Sequence, residues 1–224
     1  QVIDMSNIHH KLHAATAFYR SGFDEAVALI VDGAGTFIDL QTDKGDPITV
    51  WETETIFDCN YPDNFKTMYK HLGTNGPMTM QYLTDMSSEL YNEPKEWTHN
   101  VLLTENAGIV KTYEAVTEYC GFSFIEAGKT MGLFPYGKPS KTKLFREDTL
   151  FPISDRQTIV PTYPNGAHVN YNFFENLTHH DEEDVSKLDN RRDLAYAVQT
   201  ESQDQVVKLI KRAVEKKKKN KVVI

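Results

Sequence analysis

Residues 7–35 read "NIHHKLHAATAFYRSGFDEAVALIVDGAG", and this stretch decides the fold. Ser6 or Asn7 suits a helix cap, and a helix starting near Ile8 runs through "HHKLHAATAFYR". It stops at Ser21-Gly22, where glycine favours the C-terminal turn. "EAVALIVD", residues 25–32, is almost wholly apolar and too short for an independent helix. Such a run reads as a strand buried on both faces. "DGAG" then breaks the strand, and "TVWETETIF" alternates at period two behind the turn "DKGD". Residues 25–57 therefore predict three consecutive, mostly antiparallel strands behind one amphipathic helix.

Outward from that core the signals change. "TENAGIVKTYEAVTEYCG" places Ile109, Val110, Tyr113, Val116 and Cys120 on one helix face. "FIEAGKTMGLFPYG" predicts a short helix ended by Pro135 and Gly137. Prolines 139, 152, 161 and 164 argue for irregular chain with one or two short strands. Residues 190–219 predict a long helix with Leu194, Val198, Val206, Leu209, Ile210 and Ala213 as its buried stripe, and "KVVI" a strand. The expected segments are a helix and hairpin core over 1–60, a mostly helical span over 61–137, a loop-rich insert over 138–189, and a helix–strand unit over 190–224. Both chain ends look cut within a fold. The class is α/β with a mixed sheet.

The chemistry is concentrated at the start. His9 and His13 lie four apart, so a helix projects both from one face. Two imidazoles so placed can hold a divalent cation, and Asp32, at the end of the buried strand, is a candidate third ligand. Two nitrogens and one carboxylate suit iron(II) or zinc and leave coordination positions open. A chance HxxxH pair with polar packing is the plainer alternative. His10 points about 100° away around the helix. Gly33 and Gly35 would let backbone N–H groups approach an anion; a tight turn explains them as well. Glu126 could accept from ribose hydroxyls and Lys129 could meet a phosphate, while a surface pair ahead of a Gly/Pro turn is the ordinary reading.

Bulk properties narrow the function. At 224 residues and 40% hydrophobic composition, the chain is a soluble globular domain or one and a half. A formal charge of −8 argues against nucleic-acid binding, and no apolar run reaches membrane-spanning length. No signal peptide is visible, and Cys59 and Cys120 stand in no ligand spacing, so a cytoplasmic location with two packing thiols is expected. "HHDEED" at 179–184 reads as a solvated charge run, and "EKKKKNK" at 215–221 as cations complementing a helix C-terminus. The aromatics of "YPNGAHVNYNFF", 163–174, fit either an acceptor pocket or loop packing.

Three blocks together resemble one family. "HHKLHAATAFYRSGFDEAVALIVDGAGT" is similar to the NodU/CmcH carbamoyltransferase signature HHxxHAxSAFxxSGFxxAxxxxxDGxG. "EAGKTMGLFPYGKPS" resembles that family's ExGKxMGLAPYG block, with Phe134 in place of alanine, and Thr16 replaces the serine of the first block. "RRDLAYAVQTESQDQVVKLIKRAVE…NKVVI" resembles the helix and strand that precede its glycine-rich nucleotide loop. The resemblance implies an actin/sugar-kinase-like (ribonuclease H-like) fold, incomplete here. It implies transfer of a carbamoyl group from carbamoyl phosphate, through an ATP-derived carbamoyl-adenylate, to a hydroxyl of a small-molecule acceptor. It further implies a metal held by His9, His13, Asp32 and a later aspartate beyond Ile224; the residues' own chemistry adds nucleotide contacts from Gly33, Gly35, Glu126 and Lys129, and His10 as a candidate base. The partner in such a system is a YrdC-like domain outside these residues; a homodimer is also compatible. A tRNA threonylcarbamoyl-transfer protein and a non-catalytic nucleotide-binding module are the alternatives.

Overall fold

In the computed structural model, the buried run after the first helix is the strand on which the rest is built. The structure describes residues 5, 8–41, 47–74, 79–83, 101–104, 108–123, 125–139, 144, 159–161, 167–169 and 185–224. The elements are α1 (His9–Ser21), β1 (Glu25–Val31), β2 (Phe37–Gln41), β3 (Pro47–Asn60), β4 (Asn64–Thr74), β5 (Thr79–Leu83), β6 (Val101–Thr104), α2 (Gly108–Tyr119), α3 (Ala127–Leu133), β7 (Ile159–Pro161), β8 (Ala167–Val169), α4 (Val185–Lys217) and β9 (Val222–Val223). Two units result: residues 1–74, 79–103 and 207–224 form the first, and 75–78 and 104–206 the second.

The first unit holds a mixed sheet with strand order β6-β5-β4-β3-β1-β9, and β2 beside β3. The long strand β3 organises it. One edge of β3 pairs antiparallel with β4. The other edge carries β1 over Glu54–Asn60 and β2 over Pro47–Trp51, both antiparallel. β1 and β2 thus lie in line along one edge, and the DGAG segment interrupts them. Residues 32–36, five in number, stand opposite only Glu52 and Thr53, so the loop must leave the sheet. β9 flanks β1 in parallel. Ala26, Ala28 and Ile30 of β1, with Phe57, Cys59 and Val223, bury Ala14 and Phe18 of α1; Val27 and Leu29, on the opposite face, are also buried. That double burial explains why the run shows no polar alternation.

Three expectations are corrected. The span 61–137 is not mostly helical: β4, β5 and β6 occupy much of it before α2 begins. Strand β3 also continues to Asn60, past the expected end at 57, and a turn at 61–63 leads directly into β4. The mixed polar sequence "NFKTMYKHLGT" hid β4, because Lys70 and His71 are enclosed beside Tyr69 and Leu72 rather than solvated. The last helix begins at Val185, inside the stretch expected to be loop. The expected turn at 43–46, the Ser6 or Asn7 cap and the run 179–184 lie outside the described residues.

In the second unit α2 buries Ile109, Val110 and Val116 as its pattern predicts. Gly137 lies against α4: a Cβ there would collide with the Arg192 carbonyl, and the Lys138 N–H donates to Asp193 Oδ1 at 2.7 Å. The glycine that closes "GLFPYG" therefore serves helix docking. Phe134 stacks on Tyr196 with ring centroids 5.5 Å apart. Cys59 and Cys120 are free and buried, and burial pushes both thiols up to about 12.

Candidate metal centre

Helix α1 and the end of β1 bring three side chains to one point. His9 Nε2 lies 3.0 Å from Asp32 Oδ2, and His13 Nε2 lies 3.0 Å from His9 Nε2. His13 Nε2 and Asp32 Oδ2 are 3.9 Å apart. Ligand atoms of all three fall within 4.8 Å of one another. Donors about 2.1 Å from a shared cation would lie roughly 3–3.5 Å apart for octahedral or tetrahedral angles; the two 3.0 Å spacings match this and the 3.9 Å one is wider, so the three side chains could hold a cation as a two-histidine, one-carboxylate set. The one-turn spacing supplies the two imidazoles, and the strand end supplies the carboxylate. Asp32 Oδ1 accepts the Gly33 N–H at 2.7 Å, which holds the carboxylate and leaves Oδ2 facing the histidines.

The group is accessible. His9, His13 and Asp32 side chains are 42%, 57% and 36% exposed, so a solute can reach all three. His13 and Asp32 border a cleft of about 390 Å³ between α1 and the β1–β9 edge, walled by Ala17, Ile30 and Val223. That size admits a small molecule.

His10 does not share the group's position. It is fully buried, with Nδ1 2.7 Å from Thr55 Oγ1. Its Nε2 has no hydrogen-bond partner among the described residues and faces Gly35. Burial, reinforced by the Lys70 charge, lowers its pKa to about 4, so the ring is neutral at pH 7. A general base must reach the proton it removes. The expected catalytic role of His10 is therefore corrected to a packing role: its ring is enclosed between the loop and β3.

The glycines divide likewise. A Cβ on Gly35 would stand 2.5 Å from His10 Cδ2, 2.6 Å from its Nε2 and 2.9 Å from Glu52 Cβ, so only glycine fits. Gly33 has open space where its Cβ would be. Glu126 and Lys129 belong to the second unit and meet each other at 2.7 Å. The Lys129 ammonium, then the Ser123 N–H, hold the Glu126 carboxyl below the usual carboxylate range. Ser123 and Glu126 have capping-box spacing, and Glu126 Oε2 accepts the Ser123 N–H at 3.0 Å. The pair thus has a complete local explanation.

Sequence reading missed the layer behind the triad. The His9 N–H donates to Thr36 Oγ1 at 3.1 Å, and the Thr36 N–H donates to Glu52 Oε2 at 3.0 Å. Lys70 Nζ pairs with Glu52 Oε1. Burial lowers the Lys70 ammonium to about 8, still charged at neutral pH. Thr55, Glu52 and Lys70 carried no motif; their position on a doubly covered sheet was the signal.

A family model described as carbamoyltransferase N-terminus matches residues 3–224. The chain belongs to the carbamoyltransferase N-terminal family. Within the curated proteins, the uncharacterized protein sll1178 of Synechocystis sp. is 27% identical over 146 residues. That match covers 64% of this chain and 16% of the relative, so the carbamoyltransferase domain described here spans a small part of the relative's length. Among the described residues no helix is long and apolar enough to cross a membrane.

Proposed function

We propose that this carbamoyltransferase domain carries the transfer site of an O-carbamoyltransferase of the NodU/CmcH type. The convergence of His9, His13 and Asp32, the last two bordering a cleft, is the observation that carries the reading. The sheet supports a ribonuclease H-like, actin/sugar-kinase assignment: β1, β3 and β4 form an antiparallel series, and β9 adds in parallel beside β1. The proposed donor is carbamoyl phosphate, activated with ATP as a carbamoyl-adenylate by a YrdC-like domain, and the acceptor is a small-molecule hydroxyl in the cytoplasm.

The three ligands would hold iron(II) or zinc, which when bound supplies Lewis-acid polarisation of an oxygen. The chain's own residues do the rest. Asp32, fixed through the Gly33 N–H, presents one oxygen toward the imidazoles. The apolar walls at Ala17, Ile30 and Val223 limit water around a bound carbamoyl group, which favours transfer over hydrolysis.

The test is carbamoyl transfer by the full-length protein with labelled carbamoyl phosphate, ATP and a panel of hydroxyl acceptors. Transfer that disappears in His9→Ala and in His13→Ala is expected. Undiminished transfer in those variants overturns the reading. Modification of tRNA instead of small acceptors assigns a threonylcarbamoyl-transfer protein, and an inert protein that still binds ATP assigns a nucleotide-binding module.

A further inference from the structure

We infer that Thr36, braced by Glu52 and Lys70, is a positioning residue that sets the spacing between the histidine helix and the aspartate loop. The inference rests on the reading of His9, His13 and Asp32 as a metal centre. Among the described residues, helix α1 has no local side-chain cap: its N-cap residue, Ile8, makes no side-chain hydrogen bond to the first turn. An uncapped first turn frays and leaves donors unsatisfied. Here the missing acceptor comes from a residue 27 positions away, since Thr36 Oγ1 receives the His9 N–H. The capped amide belongs to the ligand residue itself.

Thr36 also closes the loop that Asp32 opens. Three backbone bonds tie that loop to β3: Asp32 N–H to the Thr53 carbonyl at 2.9 Å, Gly35 N–H to the Glu52 carbonyl at 2.8 Å, and Glu52 N–H to the Thr36 carbonyl at 3.2 Å. The Glu52 carboxylate adds a fourth bond through the Thr36 N–H, and Lys70 anchors the carboxylate in turn. The Glu52 and Lys70 side chains are only 6% and 17% exposed, so little water competes for these bonds. One hydroxyl thus joins the two elements that carry the ligands. Residues that orient ligands in this way typically change metal affinity about 10–100-fold when removed.

The test titrates cobalt(II) into the metal-free full-length protein, against a competing chelator, and records the visible cobalt spectrum. Thr36→Val should weaken cobalt binding at least about tenfold and alter the spectrum, and Thr36→Ser should restore both. Thr36→Ala, which also lacks the hydroxyl, must show the same loss should the valine variant fail to fold. Thermal unfolding of the metal-free forms provides the control for a purely structural role. Wild-type affinity and spectrum in a folded Thr36→Val or Thr36→Ala variant overturn this inference alone. A wild-type protein that does not bind cobalt overturns the metal-centre reading, and this inference with it.

Discussion

Gly33 and Gly35 share one motif, yet the structure gives them opposite tolerances. Alanine at Gly35 drives a methyl to within 2.5–2.9 Å of the His10 ring and of Glu52 Cβ, both enclosed and unable to retreat. Overpacking of this kind costs about 1–3 kcal/mol. Alanine at Gly33 meets nothing within 4 Å, and its backbone is outside the left-handed region, so its effect should stay within about 0.5 kcal/mol. Urea denaturation of the metal-free protein measures both, with an unchanged slope confirming a stability effect. The two closest contacts belong to His10, so a double-mutant cycle with His10→Ala should recover about 1–2 kcal/mol of the Gly35→Ala cost as coupling energy. Equal effects at the two glycines, or strict additivity in the cycle, would refute the packing account. An anion-binding role for both glycines would then regain ground.

Other outcomes follow from buried charge. The His10 pKa is lowered to about 4 when folded, against 6.5 in the unfolded chain, so the unfolded state takes up the proton first as pH falls. The stability this neutral ring preserves is complete above the unfolded value and is lost as pH falls toward the folded one, by about 3 kcal/mol. Metal-free wild type should therefore lose more stability than His10→Asn between about pH 7 and about pH 4.5, measured by urea midpoints. Lys219, in a run that reads as cations complementing a helix C-terminus, is buried: Nζ pairs with Asp58 Oδ1 and donates at 2.8 Å to both the Cys59 carbonyl and Asn60 Oδ1. Lys219→Met should cost about 3 kcal/mol, and exposed Lys218→Met less than about 0.5 kcal/mol, by the same denaturation assay. The thiols of Cys59 and Cys120, buried and raised to about 12, should resist a thiol reagent in the native protein and both react after unfolding.

The legible parts of this fold are those where one period governs. Helix α1, the apolar strand β1 and the alternating part of β3 announce themselves, and the HxxxH spacing with Asp32 then brings together three side chains that could hold a metal ion. Strand β4 was illegible because both of its faces are covered. Its Lys70 and His71 are satisfied by Glu52 and Glu54 on β3, so no polar side marks the strand. Thr36 was illegible for another reason: a helix cap supplied from 27 residues away leaves no local signature. Lys219 shows the same limit, since nothing in "KKKKNK" distinguishes the lysine that is buried against β3. His10 was placed correctly as pointing away from its neighbours. Only coordinates reveal that Gly35 exists to admit its ring.

The shared cation is the claim on which the mechanism stands, and metal content decides it most directly. Full-length protein reconstituted with iron(II) under anaerobic conditions, or with zinc, then freed of excess metal, should retain one equivalent per chain. Asp32→Ala and His13→Ala should each retain far less, with their folds intact by circular dichroism. One equivalent in wild type that persists unchanged in both variants would place the metal elsewhere and contradict the account.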